Sequence, residues 1–148
     1  MPTVPARLVT PERLLLEDDV QAVFLRTDTG EAAFLPGHTP LVGALVPGLV
    51  RFQHEDGTEE RAAVHGGFVQ VEGDHVVVLA PVAELAGDID LDRARRALET
   101  ATEMLAELNA RPTTAVAGAD EDGAPDTASA EAARRRAEVR IEVAAPGS

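Results

Sequence analysis

A chain of 148 residues, 45% of them hydrophobic, has room for one ordinary domain, or for a small domain with an appendage. Its net charge of -13, with every one of its 13 basic residues an Arg, excludes general binding to nucleic acid or to anionic membrane, and the absence of Lys excludes a lysine-dependent phosphate loop. Without Cys there is neither disulfide nor thiol chemistry, and with 3% aromatics and no Trp or Tyr the core must be built from Val, Leu and Ala.

The opening stretch, "MPTVPARLVTPERLLLEDD", has neither the basic start and apolar run of a leader nor the Arg- and Ser-rich character of a transit peptide. No apolar run approaches the length of a membrane span, so direct membrane insertion is not expected. From the start to about Ala80 the chain reads as short strands. Val20 to Arg26, Leu49 to His54, Arg61 to His65, Phe68 to Glu72 and His75 to Ala80 are β-branched or alternating. The turn signals "TDTGE", "EDGTE" and "EGDH" separate them. Such spacing predicts an all-β sandwich or barrel. Between the first and second of these strands lies "FLPGHTPLVGALVPG", Phe34 to Gly48. Its three prolines forbid a helix and argue against a central strand.

After Ala83 the period changes. Leu91, Ala94, Leu98, Ala101, Leu105 and Leu108 recur at three and four residues, one face of a helix. Asp88, Asp90 and Asp92 stand at its start, and Arg111-Pro112 stops it. The Pro-, Gly- and Asp-rich run 112–127 reads as a flexible linker. A second helix follows from about Ser129 to Val143, some four turns long, with Ala130, Ala133, Ala137, Ile141 and Ala144 on one stripe. Two successive helices most simply form an antiparallel hairpin. The expected division is a β-domain over 1–86 and a helical hairpin over 87–148.

The chemistry visible in the residues is sparse. The four His are scattered without metal-ligand spacing, and His54-Glu55 lacks a second His. No nucleophile motif accompanies His38 or His65, so an interface or structural role is the preferred reading of each. Gly66-Gly67 reads as a bend or bulge between strands, because no helix starts after it to make a phosphate cradle. Arg136 and Arg140 share a helical face, and Arg93 lies one turn into the first helix. Three guanidinium groups converging on an anion is one reading of them. The other is ordinary i,i+4 pairing: Glu131 with Arg135, Arg134 with Glu138, and Arg95 with Glu99.

The segments "LPGHTPLVGALVPG", "AVHGGFVQVEGDHVVVLA" and "AELAGDIDLDRARRALE" closely resemble the epsilon subunit of F-type ATP synthases. The resemblance covers Pro5 to about Leu108, and the second helix more loosely. It implies a flattened sandwich of two antiparallel sheets followed by the hairpin, at the foot of the rotating central stalk. It implies contacts with the gamma subunit and the ring of c subunits, with His38 near gamma and Glu31, in a loop, facing the c ring. It implies a peripheral protein on the cytoplasmic face of a bacterial membrane, coupling proton-driven rotation to ATP synthesis with no catalytic residues or metal of its own. Family members that bind ATP share the pattern I/L-D-x-x-R-A, which "IDLDRA" fits through Ile89, Asp90, Arg93 and Ala94. Glu84 matches an acidic residue ahead of it, and Arg136 and Arg140 match the basic pair of the second helix. The resemblance thus implies ATP as a regulatory ligand, with arginines on the phosphates and Asp90 and Glu84 on the base or ribose. It also implies that the hairpin can extend between the alpha and beta subunits and restrain hydrolysis, with Arg134, Arg135, Arg136 and Arg140 meeting an acidic segment of beta. The long linker departs from the family and leaves the register of the second helix open. The alternative reading is a stand-alone ATP-sensing module, which would not bring gamma along on purification. A small hydrolase using His38 or His65 would have to lose turnover on His→Ala.

Overall fold

The computed structural model describes residues 2–72, 74–110 and 127–144. Ten strands come first: β1 Val4–Val9, β2 Leu14–Val20, β3 Ala22–Thr27, β4 Gly30–Phe34, β5 Leu41–Leu45, β6 Gly48–Gln53, β7 Glu59–Val64, β8 Gly67–Glu72, β9 His75–Leu79 and β10 Ala83–Leu85. A single 3-10 turn, Ala86–Asp88, leads to helices α1 (Leu91–Ala110) and α2 (Thr127–Ala144). The hydrogen-bonded path runs β10-β7-β6-β3-β5-β8-β9-β1-β2, with β4 also on β3. β3 meets β5 through one residue pair only, Thr27 with Leu45. That joint divides the path into a layer of β10, β7, β6, β3 and β4 and a layer of β5, β8, β9, β1 and β2. The pairings are antiparallel except for β1 beside β9.

One apolar cluster fills the space between the layers. Val23, Leu25, Phe34, Val50, Phe52, Ala62 and Val64 from the first meet Ala6, Leu8, Val69, Val71, Val76 and Val78 from the second. Strand alternation supplies these contacts, since residues two apart share a face. β6 shows it cleanly, with Gly48, Val50 and Phe52 buried and the residues between them half-exposed. With valine dominating, the core is a β-branched one, as a sandwich favours. Thr27 is the one buried polar residue among those described. Its hydroxyl donates to the Gly30 carbonyl at 2.9 Å and lies 3.0 Å from Thr29 Oγ1, so burial leaves it satisfied.

The Phe34 to Gly48 segment corrects the expectation drawn from its prolines. Leu41–Leu45 is a strand inside the sheet path, paired over five residues with β8. The prolines cost no ladder bonds because Pro36, Pro40 and Pro47 all fall outside its bounds. Pro36-Gly37 occupies the centre of a tight turn closed by the His38 amide on the Leu35 carbonyl at 3.1 Å, with Gly37 at φ 81°. β1, β2, β4 and β10 were likewise not anticipated as strands.

The bounds of α2 exceed those expected at both ends, and at 18 residues it makes five turns rather than four. Of the expected linker, Thr127 belongs to α2 and 112–126 lie outside the described residues. Besides the alanine stripe, of which Ala130 and Ala137 are buried, α2 buries Val139 and Val143 on another side. α1 packs along α2, and α2 lies against β6 and β7. The second helix is therefore the middle layer, with α1 outside it. Among the described residues, no helix is long and apolar enough to cross a membrane.

Candidate functional site

The two outer faces of the sandwich differ, and each carries a candidate surface. On the first layer, Ala63 of β7 meets Val139 and Val143, with Leu49, Ala86 and Ile89 around them. Polar contacts rim this patch. Arg61 donates to the Glu142 carbonyl at 3.1 Å, and Arg135 donates to the Pro47 carbonyl at 3.3 Å. The shortest is Arg140 Nε to Glu84 Oε1 at 2.6 Å, a charge-assisted bond between α2 and β10 in which each side chain is about seven-tenths buried (29% exposed). Glu84 sits opposite Ala63 in the ladder, so it projects on the same face. This bond settles the helix register across the long linker: Arg140 faces the sheet.

The residues expected at an ATP site have unequal structural roles. Asp90 caps α1, accepting the Arg93 amide on Oδ1 at 3.0 Å, while its carbonyl accepts the Ala94 amide at 3.0 Å. Ala94 is buried and Ile89 joins the apolar patch under α2, so both have packing roles. Arg93 and Arg136 are exposed, and among the described residues neither guanidinium makes a hydrogen bond or ion pair. Arg140 and Glu84 are engaged with each other. Arg136 lies near the committed Arg140–Glu84 pair, since its charge acts on His65, while Arg93 extends from the first turn of α1. The i,i+4 pairing expected of Arg134 and Glu138 is present at 3.3 Å. Arg95 instead lies 3.9 Å from Asp92, and Arg135 3.9 Å from Glu138.

His65, read from the sequence as an interface or structural histidine, lies at this junction. Its ring is 4% exposed and its Nε2 is 3.5 Å from Glu84 Oε1. Burial, and next the Arg140 charge, hold its pKa below the usual 6.5; Glu84 acts in the opposite direction. The signal was available in the sequence. Alternation from the buried Ala63 puts His65 on the same face.

The other candidate residues lie elsewhere. Glu31 is not in a loop but is the second residue of β4, paired across the ladder with Arg26 and bonded to it at 3.0 Å. His38, in the Pro-Gly turn, packs edge-on against Phe34 at 4.9 Å between ring centroids and bonds the Thr39 carbonyl through Nδ1 at 2.7 Å. His75 has both ring nitrogens near carboxylates, Nδ1 2.9 Å from Asp74 and Nε2 3.5 Å from Glu72, on an exposed turn.

On the second layer the outer face is bare. Val42, Phe68 and Leu79 are 69%, 58% and 43% exposed. The ladder aligns them: Phe68 is opposite Leu79 and Ala44, and Val42 is opposite Gln70, two residues from Phe68. Beside them a groove of about 520 Å³ is lined by Val9, Pro11, Phe68, Leu79 and Pro81. Aligned apolar side chains at this exposure mark an interaction surface.

Comparison with known proteins bears on both faces. The chain matches the family model for the ATP synthase delta/epsilon chain β-sandwich domain over 3–86 and that for its long α-helix domain over 88–145. It is 47% identical over 104 residues to the ATP synthase epsilon chain of Desulforudis audaxviator, covering 70% of this chain and 75% of that one. To the epsilon chain of Shouchella clausii it is 38% identical over 144 residues, 97% of this chain and 96% of that one. A chain of the Euglena gracilis mitochondrial ATP synthase, solved as OSCP/F1/c-ring, superposes with a TM-score of 0.64 at 25% identity, covering 97% of this chain and 78% of its own. A chain of the Tetrahymena thermophila mitochondrial ATP synthase central stalk and c-ring gives a TM-score of 0.52 at 13% identity, covering 95% and 92%, a likeness of fold alone.

Proposed function

Because this chain belongs to the ATP synthase delta/epsilon family, as an epsilon chain, we propose that it is the central-stalk subunit that couples proton-driven rotation of the c ring to ATP synthesis, and that its hairpin regulates hydrolysis. The observation that carries the regulatory part is the shallow seat of the hairpin. Three buried residues, Ala63, Val139 and Val143, form the apolar contact, and one ion pair, Arg140 with Glu84, fastens its rim. Burying two valines is worth about 3–5 kcal/mol before ordering costs are subtracted. A seat of that size lets the hairpin leave the sheet without unfolding the sandwich, whose own core is separate.

In this reading the bare face of Val42, Phe68 and Leu79 receives gamma, and the Glu31 end of the β3–β4 hairpin approaches the c ring. The likeness to a chain solved within an F1 and c-ring assembly supports a place in such an assembly. The released hairpin enters between alpha and beta, where Arg134, Arg135, Arg136 and Arg140 meet acidic side chains. ATP acts as a regulatory ligand of the docked form, with Arg93 and Arg136 on its phosphates and Arg140 shared between Glu84 and the nucleotide. The subunit contributes no catalytic group, and it works at the cytoplasmic face of a bacterial membrane as a peripheral protein.

The test compares ATP synthase assembled with the full chain and with one ending at Asp88. Hydrolysis several-fold faster in the shortened assembly, with gamma still bound, is the expected result. Equal rates would remove the hairpin from regulation, and failure of either form to co-purify with gamma would remove the stalk role. Calorimetric titration with ATP, beside the double variant Arg136→Ala, Arg140→Ala, tests the ligand: binding lost in the variant supports it, and no binding by the parent chain refutes it.

A further inference from the structure

On β7 the residues that face α2 alternate: Arg61 reaches the Glu142 carbonyl, Ala63 packs on Val139 and Val143, and His65 follows at the end of the strand. The His65 amide is tied to the Val82 carbonyl at 3.1 Å, which fixes the backbone beneath the ring. Neither ring nitrogen has a well-formed hydrogen bond among the described residues. The nearest partner is Glu84 Oε1 at 3.5 Å, and that same oxygen takes Arg140 Nε at the shorter 2.6 Å. Arg136, one turn earlier on α2, also acts on the ring. One carboxylate oxygen therefore lies between the Arg140 guanidinium and a buried imidazole. A proton on that buried imidazole would add a second cation at the Glu84–Arg140 pair, with the Arg136 charge also acting on the ring, and both arginines are carried by α2.

We propose that His65 is the proton sensor of the hairpin: protonation of its imidazole releases α2 from the sheet, so that the hairpin is held at neutral and alkaline pH and let go in mild acid. The proposal rests on the docking of α2 alone and is independent of nucleotide binding. The sign follows from linkage. In the docked form burial, then Arg140, depress the His65 pKa; when α2 leaves, the Arg140 charge goes with it while Glu84 stays on β10, so the ring's pKa rises toward its ordinary range. The released form thus binds the proton more tightly. Docking is at full strength above about pH 6.5 and weakens as the pH falls below it. For one proton the loss is at most about tenfold per pH unit, and it levels off below the docked pKa.

Amide hydrogen exchange on the full chain tests this from about pH 8 to about pH 5, corrected for the intrinsic pH dependence of exchange. Protection at Val139 and Val143 is expected to fall measurably across that range, while protection at Val69 and Val78 in the sandwich core stays constant. In His65→Gln and His65→Ser the α2 protection is expected to be flat. A flat parent, an equal acid loss in both variants, or a loss shared by Val69 and Val78 would each overturn the proposal. If both variants fail to dock at any pH, titration of the His65 ring by NMR decides. It must titrate at lower pH in the parent than in Val139→Asp, whose hairpin is undocked, and equal midpoints would overturn the proposal.

Discussion

Replacing Val139 with Ala separates two accounts of why α2 is helical. Val139 is 1% exposed and packs with Ala63 and Val143 under Leu49, Ala86 and Ile89. The change removes two buried carbons, worth about 1.6 kcal/mol of transfer free energy, and an unfilled cavity raises this to about 2 kcal/mol. Alanine is the better helix former by about 0.5 kcal/mol, which opposes the loss. The net cost of about 1.5 kcal/mol corresponds to roughly a tenfold weaker docking. Amide exchange at neutral pH reads it directly. If α2 is held by its seat on the sheet, protection at Arg140 to Val143 falls about tenfold while that of Val69 and Val78 is unchanged. If α2 were stable by its own propensity, the same substitution would slow exchange. Protection that stays level or rises in Val139→Ala would refute the seat as the source of stability, and with it the estimate of how readily the hairpin leaves.

Gly67 sits at φ 121°, and a Cβ there would run into the carbonyl oxygen of Leu79, so Gly67→Ala should lower stability by about 3 kcal/mol or more in urea melts. Gly37 has φ 81° but open space around it, and Gly37→Ala should cost only about 1 kcal/mol in the same assay; equal losses would show that crowding at Gly67 is not the cause. Asp90→Ala removes the cap of α1, and should cost about 1 kcal/mol and fray the first turn, seen as faster exchange at Arg93 and Ala94 with α2 unaffected. Phe68→Glu should leave the melting temperature within a few degrees, because the ring is mostly in water, yet weaken capture of gamma at least tenfold; undiminished capture would move the gamma contact off this face.

The parts of the fold legible in the sequence are those whose residues alternate in burial. β6 and β8 alternate in burial, and apart from Leu49 and Phe68 their composition follows that alternation and announces them. β5 does not announce itself, because its neighbours Pro40 and Pro47 and its own Gly43 look like breakers. Only the register shows that the prolines fall beyond the ladder and that Gly43 pairs with Val69 of β8. β2, "LLLEDDV", groups its apolar and acidic residues instead of alternating them, which suits a strand at the end of the path with one neighbour. The helices were legible from their period, but the valine side of α2 was not. Val139 and Val143 make a pair too short to stand out beside the alanine stripe, and their meaning depends on Ala63, some eighty residues earlier in the chain. The Glu84–Arg140 bond was not legible, since no local rule joins a carboxylate at the end of the sandwich to an arginine near the end of the chain, and the family pattern assigns both to a nucleotide and not to each other.

The parallel pairing of β1 with β9 has a consequence for how the chain is made. Ala6 must wait for Val76, roughly seventy residues further along, before the second layer can close. During synthesis the first strand therefore leaves the ribosome long before its neighbour exists, and until then β2 is its only ladder partner. By the time α2 emerges, every strand of the sandwich is already outside and able to assemble. The hairpin thus arrives last, on a finished surface, and its attachment is a final step that can be undone without reversing the earlier ones.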